Sequence, residues 1–242
     1  MEEMKLGIIG GMGSKATAVF FDKLVEKTVA EKDQDHINTV ILNHATLPDR
    51  TEAIINQTGD AFLRAVKTDF QLLETAGVKH IAIPCNTSHY YYEEMQAMTT
   101  IPIIHMIEET AKVIYKKHGV NAKVALMATD GTVRSGIYKK ACDKYDIQLV
   151  LPNEQQQAQI MDIIYTKVKG GITTEIQEFN DLVNDFVQNL QCDCVILACT
   201  ELSCIKLTED IKSYTVDAME VLVEKSVLLS GKQLKSATGL FD

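Results

Sequence analysis

Two stretches of the chain place a thiol beside hydroxyl and amide groups: Ile81–His89, IAIPCNTSH, and Val195–Leu202, VILACTEL. In the first, Cys85 is followed by Asn86, Thr87 and Ser88; in the second, Cys199 is followed by Thr200 and Glu201. A lone cysteine says little, but two in matching context suit one chemistry well. Taking a proton from one face of a carbon beside a carboxylate and returning one to the other face needs two groups, one thiolate and one thiol at any moment. A single base tends to hand the same proton back. A thiol of pKa near 8.5 is a weak base for so weak a carbon acid. The site must therefore stabilise the developing negative charge with N–H and hydroxyl donors and exclude water. Asn86, Thr87, Ser88 and Thr200 are candidate donors, and Arg50 is the first candidate cation for a second, distal carboxylate.

The elements that position these groups follow from pattern. Both apolar runs are too short for a helix and rich in Ile and Val, so each reads as a buried strand ending at its cysteine, with a helix starting just beyond. Each sulfur then sits at the carboxyl end of a strand beside a positive helix end, which lowers a thiol pKa. Other segments repeat at nearly the same offset. Leu6–Gly13 (LGIIGGMG) matches Val124–Gly131 (VALMATDG), and Ile103–Lys112 matches Thr215–Lys225. Three matches in one order argue for two similar lobes. The expected architecture is α/β, two lobes with mainly parallel sheets related by a pseudo-twofold axis, with the cysteines facing across the cleft. Residues 1–101 with 213–242 form the lobe carrying Cys85, and residues 102–212 form the lobe carrying Cys199.

Residues 5–10 read as the first strand, and Gly10, Gly11, Met12 and Gly13 as a tight turn into a helix over 14–30. The string GMGSKA, Gly11–Ala16, fits a loose dinucleotide fingerprint. The second strand, Asn38–Asn43, ends in Asn43 and His44 rather than an acidic residue, so a turn offering N–H groups to a carboxylate is the better reading. Ala45–Thr51, ATLPDRT, is a loop by its proline and puts Arg50 on the same rim. Asp60–Ala76 has helical spacing and ends at Gly77. His89, four residues after Cys85, is a surface histidine or a group that tunes the thiol, and Tyr90–Tyr92 pack between lobes or subunits. In the second half, residues 136–146, Gln155–Lys169 and Glu175–Leu190 read as helices and Ile147–Leu151 as a strand. Lys169 falls in a last helical turn, where its spacing alone assigns it to the helix dipole.

The 242-residue chain is 46% hydrophobic and carries a net charge of −9 without a basic stripe, which disfavours nucleic acid and requires local cations for any anionic ligand. Its start lacks a signal-like segment and no apolar run approaches a membrane span, so a cytoplasmic location is expected. The six cysteines are then free thiols. Cys192, Cys194 and Cys204 crowd near Cys199, but no second C-x₂₋₄-C pair follows them, and with Cys142 they read as small core residues rather than zinc ligands.

The strings GGMG-x-x-AT (Gly10–Thr17), LPDRT (Leu47–Thr51), PCNT-x-H (Pro84–His89), IP-x-I-x-MIEET (Ile101–Thr110), VKxG (Val168–Gly171) and CTEL (Cys199–Leu202) resemble those of the aspartate/glutamate racemase family, nearest its aspartate racemase branch. The resemblance covers essentially the whole chain. It implies a racemase that needs no cofactor and no metal, acts on aspartate or also glutamate, and forms a homodimer. It implies Cys85 and Cys199 as the proton-exchanging thiols, the first working on the D-enantiomer. It further implies Arg50 and Lys169 as the grip on the side-chain carboxylate, and Asn86–Ser88 as the α-carboxylate site. Two departures stand out: Ser14 replaces the usual proline after GGMG, and Ala198 the usual glycine before the second cysteine.

Three rival readings use the same residues. A cysteine hydrolase would need a base aimed at one thiol, and only His89 is near in sequence. A sensor of acidic metabolites needs no thiols. A redox pair would join Cys85 to Cys199 as a disulfide. By the same resemblance, family members with only one of the two cysteines include decarboxylases and isomerases of other small carboxylic acids, and both cysteines are present here.

Overall fold

A computed structural model describes residues 4–172 and 176–235. In chain order the elements are β1 (Leu6–Gly10), α1 (Ser14–Lys27), β2 (Thr39–Asn43), α2 (Arg50–Ile55), α3 (Gly59–Ala76), β3 (His80–Ala82), a 3₁₀ turn (Thr87–Tyr91), α4 (Tyr92–Gln96) and α5 (Met106–His118). There follow β4 (Lys123–Met127), α6 (Asp130–Ser135), α7 (Ile137–Asp143), β5 (Gln148–Val150), α8 (Glu154–Asp162), α9 (Gln177–Asn184), β6 (Cys194–Leu197), α10 (Glu209–Ser213), β7 (Thr215–Asp217) and α11 (Ala218–Leu229).

The strands make two parallel sheets, β2-β1-β3 and β5-β4-β6-β7. Ile103 adds a one-residue parallel bridge to Ile81. Both sheets then run in the order second, first, third, fourth segment, the architectural form of the repeat seen in the sequence. Every residue of β1 and β6 is buried, as parallel strands covered on both faces require. The first sheet lies between α3, through Phe62, Val66, Phe70 and Leu73, and the pair α1 and α11, through Phe20, Leu24, Met219 and Leu222. The second lies between α5 with α7 and α8 with α9.

Several boundaries differ from expectation, each for a local reason. The ladder of β3 stops at Ala82, before Cys85, because Pro84 has no N–H to donate and Cys85 N turns back onto Ile83 O. Residues 215–217, placed with the first lobe by a boundary at 213, pair with β6 in the second sheet, whereas α11 packs on the first. The helix through Lys169 is α-helical only to Asp162; Ile163–Val168 widen into a π-turn. Asp185–Asn189 do the same after α9, and the start expected at Glu175 lies outside the described residues. Gly77 does cap α3, with φ 71° and its N–H on Leu73 and Glu74 carbonyls. The tyrosine run is split: Tyr91 is buried against Phe62, Tyr92 lies on His105 at the start of the 102–212 segment, and Tyr90 is exposed. No helix among the described residues is long and apolar enough to cross a membrane.

Candidate active site

At the carboxyl ends of the strands the two lobes meet around one cavity. It is lined by Cys85, Asn86, Thr87, Arg50 and Met12 from the first lobe and by Cys199, Thr200 and Lys169 from the second. Its water-accessible volume is about 20 Å³, room for about one water. Past Met12, Arg50, Lys169 and Glu201 it gives onto a vestibule of about 540 Å³ whose wall includes Gly13, Lys15 and Cys204. The glycine turn shapes both spaces. A Cβ on Gly11 would lie 2.3 Å from the His44 carbonyl carbon, and its φ of 89° suits glycine alone. Gly11 N–H donates to Thr17 Oγ1, which donates in turn to Gly13 O.

Arg50 does not lie in a loop but opens α2, whose N-cap Asp49 accepts from Glu52 N–H. Its side chain is 8% exposed. Nη1 donates to Pro48 O (2.8 Å) and Leu47 O (3.4 Å), and Nη2 to Met12 O (3.3 Å). Nε is buried with no partner. Three of five N–H groups are therefore spent on carbonyls, and Nε–H with one Nη2 hydrogen remains, the pair from which a guanidinium grips a carboxylate. Lys169 follows the π-turn, exposed, with Nζ 3.9 Å from the centroid of the Tyr165 ring.

Around Cys85, Ser88 Oγ and His89 Nδ1 both donate to the cysteine's carbonyl at 2.8 Å. Ser88 thus braces the strand end and is not part of the cavity wall. His89 is no surface residue: it is 3% exposed, burial pushes its pKa down, and Nε2 accepts from Met106 N–H. It holds backbone and not sulfur. Asn86 Nδ2 is buried without a partner, and Thr87 Oγ1 meets the hydroxyls of Thr129 and Thr132 across the lobe boundary at 3.0 and 2.9 Å.

Cys199 has a different setting. Its thiol donates to Glu201 Oε2 at 3.0 Å, and burial together with the Glu201 charge drives its pKa well up. The expectation that a helix end lowers this pKa fails because only a three-residue 3₁₀ turn, Leu202–Cys204, follows the strand. Thr200 Oγ1 donates to Pro84 O in the other lobe. The sequence reading missed Glu201, Thr129, Thr51 and Tyr165 as wall residues. CTEL holds the signal for Glu201, two residues from the sulfur, and LPDRT that for Thr51 beside Arg50; the fold brings Tyr165 and Thr129 to them. Among the described residues no three His, Cys, Asp or Glu side chains gather as a metal site.

Two parallel sheets whose strand ends bring a thiol from each lobe to one cavity define a class. The chain belongs to the Asp/Glu/hydantoin racemase family, whose model matches residues 9–226. The family is described by its racemases, isomerases of small substrates such as aspartate and glutamate. The chain is 31% identical over 204 residues to the broad specificity amino-acid racemase RacX of Bacillus subtilis, covering 83% of this chain and 86% of that one. The aspartate racemase of Picrophilus torridus superposes with a TM-score of 0.84 at 33% identity, over 98% of this chain and 99% of that one. The glutamate racemase of Francisella tularensis shares the fold, with a TM-score of 0.65 at 18% identity over 95% of this chain and 81% of that one.

Proposed function

We propose that the protein interconverts L- and D-aspartate by a two-base mechanism without pyridoxal phosphate. One observation carries this reading: a thiol from each lobe lines one cavity that also holds Arg50, Lys169 and the unpaired amide of Asn86. The substrate's side-chain carboxylate takes the free edge of Arg50 and the ammonium of Lys169; its α-carboxylate takes Asn86 Nδ2, with Thr87 and Thr200 close by. In the D-to-L direction the Cys85 thiolate removes the α-proton, and the electron pair of the C–H bond spreads into the α-carboxylate. The Cys199 thiol then delivers its proton to the opposite face, leaving Cys199 as thiolate and Cys85 as thiol. The donors at the α-carboxylate stabilise the charge as it builds, and the dry walls strengthen them. A cavity with room for about one water must widen to admit an amino acid.

Aspartate is favoured over glutamate because Arg50 is tied to three carbonyls and cannot recede to make room for another methylene. The likeness to the P. torridus aspartate racemase supports the same choice. The vestibule beyond Arg50 and Lys169 favours a second reading, racemisation of amino acids with longer side chains, as the name of the B. subtilis relative suggests. Chiral chromatography of L-Asp, D-Asp, L-Glu, D-Glu, L-Lys and L-Arg incubated with enzyme tests both. Both aspartates converging on an equal mixture, with the others at least tenfold slower, is the expected result. Comparable turnover of lysine or arginine favours the second reading, and no turnover of any of them contradicts the racemase assignment.

A further inference from the structure

Tyr138 is absent from the cavity wall, and no step above uses it. It is the second residue of α7, 1% exposed within the core of the second lobe. Its hydroxyl nevertheless reaches the first lobe and donates to Asn86 Oδ1 at 2.6 Å. Asn86 is 2% exposed, lines the cavity, and has its Nδ2 buried without a protein partner. A side-chain amide can sit in two orientations that exchange its oxygen with its NH₂ group. Here the hydroxyl gives its proton to Oδ1, the arrangement in which the NH₂ points away from Tyr138.

We infer that Tyr138 is a positioning residue that locks the Asn86 amide with its N–H donors facing the substrate's α-carboxylate. This rests on reading the cavity as an amino-acid racemase site. The oxygens of that carboxylate gain charge as the α-proton leaves, and a donor already aimed needs no reorganisation at that moment. Because the hydroxyl and the amide belong to different lobes, the donor is aimed only while the lobes are together. Tyr138 therefore links closure to catalytic competence without touching substrate.

Tyr138→Phe keeps the ring and its packing and removes the donor. Its kcat/KM for aspartate is expected to fall about 10- to 100-fold, mostly in kcat. In an Asn86→Ala background the same change should cost less than about 2-fold, since the amide it positions is gone. Equal losses in both backgrounds overturn the inference, because a purely structural role acts through neither partner. A second arm needs no turnover. In ¹⁵N spectra, the side-chain amide pair that vanishes in Asn86→Ala belongs to Asn86. That pair should be sharp and well separated in the wild type and broadened or merged in Tyr138→Phe. An unchanged pair overturns the lock. A wild-type protein that racemises no amino acid sinks the racemase reading, and the amide signal still decides the role of Tyr138.

Discussion

Each lobe delivers the same two groups to the cavity, a thiol and a cation, but the lobes hold them differently. In the first, the grip acts through the main chain. Cys85 is fixed by two donors on its carbonyl, and Arg50 is fixed by three carbonyls. In the second, the thiol itself is engaged, by Glu201, and the cation stands exposed over an aromatic ring beyond a π-turn. The pair is therefore asymmetric although the sheets are alike. Burial and the Glu201 charge favour the protonated form of Cys199, and one cation is tied to three carbonyls while the other stands exposed. A π-turn at such a place is a familiar mark of a functional segment.

Removing either sulfur should have the largest effect. Cys85→Ser and Cys199→Ser should each lose about 10²- to 10⁴-fold in net racemisation, and optical rotation of L-aspartate reads it directly. Next comes the tied cation. Arg50→Lys keeps the charge but cannot serve three carbonyls and a carboxylate at once, so kcat/KM for aspartate should drop about 10- to 100-fold. Any turnover of alanine should change far less.

Glu201→Gln sharpens the contrast between the thiols. Burial and the Glu201 charge both raise the Cys199 pKa. With the charge gone, the pKa falls and more thiolate is present at a given pH. In a Cys85→Ser background, alkylation of Cys199 by iodoacetamide, located by peptide mass spectrometry, should then begin about one pH unit lower. A profile that stays in place would separate Glu201 from the sulfur's protonation. The smallest effect belongs to the exposed cation. Tyr165→Leu removes the platform under Lys169 and should raise KM for aspartate about 2- to 5-fold, while Tyr165→Phe keeps the ring and stays near wild type. An equal rise in both would assign the effect to the Tyr165 hydroxyl, which donates to Thr51.

Much of this was legible in the sequence because it was local. The apolar runs ending in Cys-(Asn)-Thr, the glycine turn and the repeated offsets follow from short-range pattern, and they gave the sheets, the two lobes and both thiols. What was not legible arises where the lobes meet. Nothing within a few residues of Tyr138 indicates that it faces the other half of the molecule, whereas Thr129 stands in the repeat of the glycine turn and Tyr165 one helical turn before Lys169. Gly131 shows how tight that contact is: a Cβ there would sit 2.8 Å from Thr51 Cα. Two local inferences failed for physical reasons. His89 was read from its spacing as exposed or as a tuner of the thiol, but the strand end draws it inward to brace a carbonyl. Cys199 was assigned a lowered pKa from a helix that the chain does not form there.

In the proposed reaction the two sulfurs address opposite faces of one carbon. The most direct test is to follow the α-proton of L- and D-aspartate by NMR in D₂O with wild type, Cys85→Ser and Cys199→Ser. Exchange with inversion is expected in the wild type. Each single variant should exchange only one enantiomer and return it uninverted, Cys85→Ser acting on L-aspartate and Cys199→Ser on D-aspartate. Inversion that persists at the wild-type rate in either variant would contradict that reaction.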